Sequence, residues 1–267
     1  MRDDGLRTAY LDALGIDRWV AKRGGVPAES AAVPEVEAPR VRRSAALSAP
    51  PIQSPAVARA PAAPEAPRSE PTPLPPGLDW EPLRERVAGC TACDLCKTRT
   101  QTVFGVGNKQ AEWLIIGEAP GADEDAQGEP FVGRAGQLLN AMLLAIGLPR
   151  ETVFIANVLK CRPPGNRDPK PEEISRCLPY LSAQVALLKP KVILVVGRIA
   201  AQALLATDLP LARLRGKLHA FGEAATPLVA TYHPAYLLRT PVDKRKAWED
   251  LKFARATHAR VTGGGKG

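Results

Sequence analysis

The sequence predicts an α/β protein, a three-layer α/β/α domain around a central four-stranded, mostly parallel sheet. Three observations predict it. Four short runs are apolar without interruption, as expected of strands covered on both faces. Segments with helical apolar spacing separate those runs, the alternation that builds a parallel sheet. The alternation of the two patterns is confined to the C-terminal part of the chain, because the Pro- and Ala-rich stretch before it supports neither.

The 267-residue chain opens with a short amphipathic segment, residues 1–26, in which Tyr10, Leu11, Leu14 and Trp19 recur at helical spacing. From Pro27 to Gly77 nearly every second residue is Pro or Ala. Such a stretch cannot bury enough apolar surface to offset its ordering entropy, so residues 27–77 are expected to be a disordered, partly polyproline linker. The folded domain is expected over residues 78–261, followed by a flexible tail, 262–267. Within it, Trp113-Leu114-Ile115-Ile116 ending in Gly117 is the first strand. Ala135–Ile146 is a helix stopped by Gly147. Val153–Val158 is the second strand, and Pro171–Leu188 a helix opened by Pro-Glu-Glu. Val192–Val196 is the third strand, with a helix over Arg198–Ala206. Leu228–Tyr232 is the fourth, and a helix over Asp243–Ala259 closes the set.

The formal charge is +8. In the linker Glu29, Glu35, Glu37, Glu65 and Glu70 balance Arg40, Arg42, Arg43, Arg59 and Arg68, so the excess lies mainly on the folded domain. A basic domain suits a polyanionic partner. The N-terminus resembles no signal peptide and no apolar run reaches membrane-spanning length. The expectation is a cytoplasmic monomer that keeps its five cysteines reduced. Three of them, Cys90, Cys93 and Cys96, fall within seven residues, and Cys161 and Cys177 follow. That clustering points to metal ligation, and spacing alone leaves zinc and iron–sulfur both open.

Ligands of parallel sheets bind beyond the carboxyl ends of the strands. Three of those ends carry polar, Gly- and Pro-rich loops: GEAPG from Gly117 leading to PFVGRAGQLL from Pro130, Asn157 followed after three residues by CRPP, and HPAYLLR from His233. In this order, with cysteines interleaved, these motifs resemble the family 4 uracil-DNA glycosylases over about Leu83 to Ala254.

The resemblance implies a base-excision repair enzyme that hydrolyses the N-glycosidic bond of deoxyuridine in DNA, leaving an abasic site. It implies a [4Fe–4S] cluster held by Cys90, Cys93, Cys161 and Cys177, with Cys96 at a position the family does not use. Phe131 is similar to the uracil-stacking aromatic. Asn157 is similar to the residue that reads the Watson–Crick edge, since an amide offers uracil both a donor and an acceptor. His233 matches the donor to the O2 of the departing base, and Glu118 the acid that positions water. Ala119 occupies the place where another branch carries an Asp, so the hydrolytic acid is expected to be Glu118, or else Glu124, with Asp123 and Asp125 forming a solvated acidic turn. Leu237 is expected to wedge into the duplex, with Leu238 as its competitor. Arg162, Arg167 and Arg239 are candidate phosphate contacts.

Two other readings stay open: a relative acting on another damaged base or forming a covalent DNA adduct, for which His219 is the residue to check, and a non-catalytic iron–sulfur protein that binds DNA. Residues 1–26 are expected to recruit a protein partner through the linker.

Overall fold

The computed structural model describes residue 75 and residues 77–263. The N-terminal segment, nearly all of the linker and residues 264–267 lie outside the described residues.

Helix α1 (Trp80–Ala88) starts at Asp79, whose carboxylate accepts from the Trp80 N–H at 2.7 Å. Strand β1 (Val106–Gly107) and strand β2 (Trp113–Gly117) follow, then the short helix α2 (Ala122–Gln127) and helix α3 (Arg134–Ala145). Strand β3 (Phe154–Asn157), helix α4 (Pro171–Leu188), strand β4 (Val192–Val196) and helix α5 (Arg198–Leu205) continue the alternation. The chain then runs through α6 (Leu211–Leu214), β5 (Leu218–Phe221), β6 (Thr226–Thr231), α7 (Pro234–Arg239) and α8 (Lys244–Gly263). Among the described residues no helix is long and apolar enough to cross a membrane.

The sheet has six strands in the order β1-β3-β2-β4-β6-β5. The four predicted strands are its parallel centre, with Ile115 opposite both Ile155 and Leu194, and Leu194 opposite Val229. Two antiparallel edge strands complete it. Neither edge carries the continuous apolar pattern that marks the centre: β1 has two residues, and β5 reads Leu-His-Ala-Phe with Leu218 half exposed.

Every residue of β2, β3 and β4 is buried, so successive side chains feed two cores. One core places Ile115, Ile155, Leu194 and Val229 against Leu139, Met142 and Leu143 of α3 and Leu251 and Ala254 of α8. The other places Leu114, Ile116, Ile193 and Val195 against Leu181 and Val185 of α4 and Ala200 and Leu204 of α5. This is the three-layer arrangement. Truncating a core residue such as Leu139 to Ala would cost about 2–5 kcal/mol. A buried polar knot pins α8 to β6: Arg215 Nε and Thr231 Oγ1 both donate to Asp250 Oδ2, at 2.6 and 2.8 Å.

From β2 the chain passes to β3 on one side and later to β4 on the other, so the order reverses at β2. The crevice beyond the carboxyl ends of these strands is where such sheets take ligands.

Candidate active site

A cavity of about 430 Å3 opens in that crevice. Its wall brings together Glu118, Ala119, Phe131, Asn157 and His233, with Tyr236 and Arg239 towards the α7 side. Four of these come from strand ends, while Phe131 lies in the loop between α2 and α3 and Tyr236 and Arg239 belong to α7. Glu118 and Ala119 follow β2, Asn157 closes β3, and His233 follows β6.

Two hydrogen bonds zip the first two segments together: Val158 N–H donates to the Gly117 carbonyl at 2.9 Å and Leu159 N–H to the Glu118 carbonyl at 3.0 Å. Gly117 itself has to be glycine. A Cβ there would collide with Asn157 Oδ1 and lie 2.6 Å from the Phe131 ring. The two side chains therefore meet over a backbone that leaves them room.

Phe131 sits at φ 56°, a region L-residues rarely adopt, and is 6 % exposed. Its surroundings hold it there. Glu124 accepts from the N–H groups of Gly121, Val132 and Gly133 at 3.0, 3.0 and 3.3 Å. Arg150 donates to the carbonyls of Pro130 and Phe131 at 2.7 and 3.3 Å. Gly136 lets α3 pass against the Phe131 carbonyl, where a Cβ has no space. The ring ends 5.7 Å from the His233 ring, centroid to centroid, at 31°.

Asn157 is 2 % exposed, and its Oδ1 is the buried side-chain oxygen left without a partner among the described residues. A buried, unpaired acceptor is costly, so one aimed at a cavity marks a place for a donor.

His233 caps α7: its Nδ1 accepts from Ala235 N–H at 3.1 Å. That bond assigns the proton of the neutral ring to Nε2. Burial, followed by the charge of Arg239, pulls its pKa down to about 4, so the ring is neutral near pH 7. Glu118 moves the opposite way. Burial, then the Asp168 carboxylate, raises it to about 7, with Arg198 pulling it back.

Several expected residues fall elsewhere. Leu237 does not reach the cavity. It is 1 % exposed and packs in the core with Leu138, Met142 and Leu251, because the register of α7 turns it inward. Leu238, the next residue, is 38 % exposed. Asp125 is no solvated turn residue: it is 3 % exposed and accepts from Thr100 N–H at 3.0 and 3.1 Å. Arg162 is not part of the cavity wall and donates to Asn166 Oδ1, whereas Arg167 does line the cavity, with its guanidinium held by Glu173 through two bonds of 2.8 and 2.5 Å. His219 lies on edge strand β5, bonded to the Leu214 carbonyl, away from the cavity. The recruitment segment, residues 1–26, lies outside the described residues.

The five cysteines line a single cleft. Cys90 follows α1, Cys93 starts a 3-10 turn (Asp94–Lys97), Cys161 lies in the loop after β3, and Cys177 is in α4. Arg99 donates to Cys161 Sγ at 3.1 Å and Lys160 N–H to Cys177 Sγ at 3.2 Å. Burial pushes the Cys177 thiol up to about 12, so ligation there has to displace a proton. Among the described residues no three His, Cys, Asp or Glu side chains converge as a single-ion site. The sulfurs ring a cleft instead.

Little in the sequence pointed to Tyr236, Arg150 or Lys160. Tyr236 stacks on Tyr232 at 5.0 Å and donates to Asp243 Oδ2 at 2.5 Å. Lys160 is 1 % exposed, and the only signal was a lysine inside the apolar run Val158-Leu159-Lys160-Cys161.

Comparison with known proteins agrees with this arrangement. The sequence model of the family described as "Uracil DNA glycosylase superfamily" matches residues 104–252. The chain is 48% identical to a type-4 uracil-DNA glycosylase of Archaeoglobus fulgidus, over 62% of this chain and 86% of that protein. It is 41% identical to a type-4 uracil-DNA glycosylase of Thermotoga maritima, over 66% of this chain and 93% of that protein. A type-5 uracil-DNA glycosylase of Thermus thermophilus is 33% identical, over 49% of this chain and 68% of that protein. The chain belongs to the uracil-DNA glycosylase superfamily, and within it to the type-4 group.

Proposed function

We propose that this protein is a DNA base-excision repair glycosylase that hydrolyses the N-glycosidic bond of deoxyuridine, releasing uracil and leaving an abasic site. The observation that carries the reading is the unpaired Oδ1 of Asn157, buried beside Phe131 in a cavity shared with His233 and Glu118.

In this reading the target nucleotide leaves the base stack and its uracil enters the cavity. Phe131 offers the flat wall, and Ala119 lines the opening with a small side chain. Asn157 Oδ1 accepts from uracil N3–H, while its amide donates to O4. Thymine has the same edge, so the close walls must exclude its methyl group. As the N1–C1′ bond breaks, its electron pair goes to the uracil, whose charge spreads over N1 and O2. The Nε2–H of neutral His233 donates to O2. A neutral donor retains its proton while the anion departs. Water adds to the sugar C1′, oriented by the Glu118 carboxylate, which takes its proton. Glu118 suits this task better than Glu124, whose oxygens already hold three backbone N–H groups, that of Gly121 before α2 and those of Val132 and Gly133 beside Phe131.

The cysteine cleft fits a [4Fe–4S] cluster held by Cys90, Cys93, Cys161 and Cys177. A tetrahedral zinc site needs four donors about one point, whereas a cluster spreads its thiolates around itself. When bound, the cluster would supply a covalent tie between the segment after α1, the loop after β3 and helix α4. Residues 78–261 form the glycosylase domain in this account, acting in the cytoplasm as a monomer. The segment 1–26 is reserved for a protein partner.

Asn157→Asp tests base reading. A carboxylate cannot donate to uracil O4, so release of free uracil from a deoxyuridine oligonucleotide should fall by about tenfold or more. Uracil release at the wild-type rate would remove Asn157 from the reading.

A further inference from the structure

We propose that Lys160 is a positioning residue that joins the cysteine centre to the base-reading side chain of Asn157. This rests on the glycosylase reading above and adds a residue to it.

Lys160 is among the largest fully buried side chains of the domain. An ammonium taken out of water is stable only where its donors are satisfied and opposite charge is near. Its Nζ donates to the Asn157 carbonyl at 2.9 Å and to Gln184 Oε1 at 2.6 Å. Gln184 is itself fully buried and anchored, since its Nε2 donates to the Phe104 carbonyl at 2.9 Å. The ammonium thus fixes the peptide group that leaves β3, and the Asn157 side chain hangs from the same residue.

The other end of Lys160 belongs to the cysteine cleft. Its backbone N–H donates to Cys177 Sγ, and the next residue is Cys161. Its carbonyl accepts from Val103 N–H at 2.8 Å, which clamps the turn between the two sites. One residue therefore touches a thiol of one site and the recognition residue of the other. With four thiolates in the cleft, the buried cation would offset them together with Arg99, which donates to Cys161 Sγ. A neutral side chain of similar length would leave the Asn157 carbonyl and Gln184 Oε1 without their donor.

The test uses the full-length, cluster-loaded protein with Lys160→Met, alone and combined with Asn157→Ala. Iron content, visible absorption, kcat and KM for a single-stranded deoxyuridine oligonucleotide are measured for each. The expected result is that Lys160→Met keeps its iron and loses about tenfold or more in kcat/KM, the usual scale for a charged hydrogen bond. The loss should vanish in the Asn157→Ala background, because the lysine acts through that side chain. If Lys160→Met does not fold, Gln184→Leu carries the test: it keeps the lysine, removes one acceptor, and should cost several-fold, again only when Asn157 is present. Wild-type excision per iron-loaded molecule, or a loss that persists undiminished in the Asn157→Ala background, overturns the proposal. Failure of the unmutated protein to release uracil would instead overturn the glycosylase reading.

Discussion

Glu118 and His233 face one cavity with pKa values displaced in opposite directions, and this sets how the reaction should answer to pH. Glu118, raised to about 7 by burial, is a carboxylate only above that value. Excision should therefore rise with pH through about 7, and Glu118→Gln should lower the rate and abolish that rise. His233, lowered to about 4, stays neutral above that pH and becomes cationic below it. Protonation at Nδ1 removes the acceptor for Ala235 N–H, so the Glu118→Gln variant should retain a second fall in activity near pH 4. Single-turnover excision rates across pH for both proteins check this pair of limbs. A wild-type profile flat from pH 5 to 8 would take the water-positioning role from Glu118. Gly117 yields another residue-scale prediction. Gly117→Ala puts a methyl group where Asn157 Oδ1 and the Phe131 ring already are. Displacing both should cost about a hundredfold in kcat/KM, the scale of a small misplacement at a reacting centre. Melting and excision measured together will separate that loss from unfolding. The placement of His233 and Asn157 was legible in the sequence because polar loops at the ends of apolar strands stand out, while their roles came only from the resemblance. Leu237 was misplaced because two adjacent leucines on a short helix look alike until packing decides which one turns inward. Asp125 was misread for a similar reason, as its backbone partner at Thr100 is remote in sequence.

At the scale of elements, a cluster held by the cysteines would tie together three segments that the sheet alone does not join. Cys161 lies in the loop that leaves β3 and Cys177 within α4, so ligation should bear on stability as well as on colour. Cys161→Ala or Cys177→Ala should lose most of the iron, about four atoms per chain in the loaded protein, and melt at lower temperature. Cys96→Ala should keep both, although Cys96 also lines the cleft. Iron analysis and thermal melts of the three variants decide it, and stoichiometric zinc in place of iron would reverse the ligand chemistry. The central strands were legible because burial on both faces writes an unbroken apolar run, as in Val192–Val196. The edges were not. A two-residue β1 has no period to detect, and β5 alternates exposed and half-buried residues among polar neighbours. Helix α8 runs to Gly263, beyond the apolar spacing that marks its buried face.

At the scale of the whole molecule, the reversal of strand order at β2 opens the cavity in which, we propose, a base is stacked, read and released. The resemblance of the loop motifs pointed to this chemistry, but the sequence could not reveal that Gly117, Arg150 and Lys160 hold the reading residues in place, since their partners come from other elements. The most direct test is a denaturing gel. A labelled single strand carrying one deoxyuridine is incubated with the purified protein and treated with alkali, beside a strand with thymidine at the same position. The account predicts a single break at the deoxyuridine, none at the thymidine, and no labelled strand left covalently on the protein. An intact deoxyuridine strand, or one retained as a protein adduct, would contradict it.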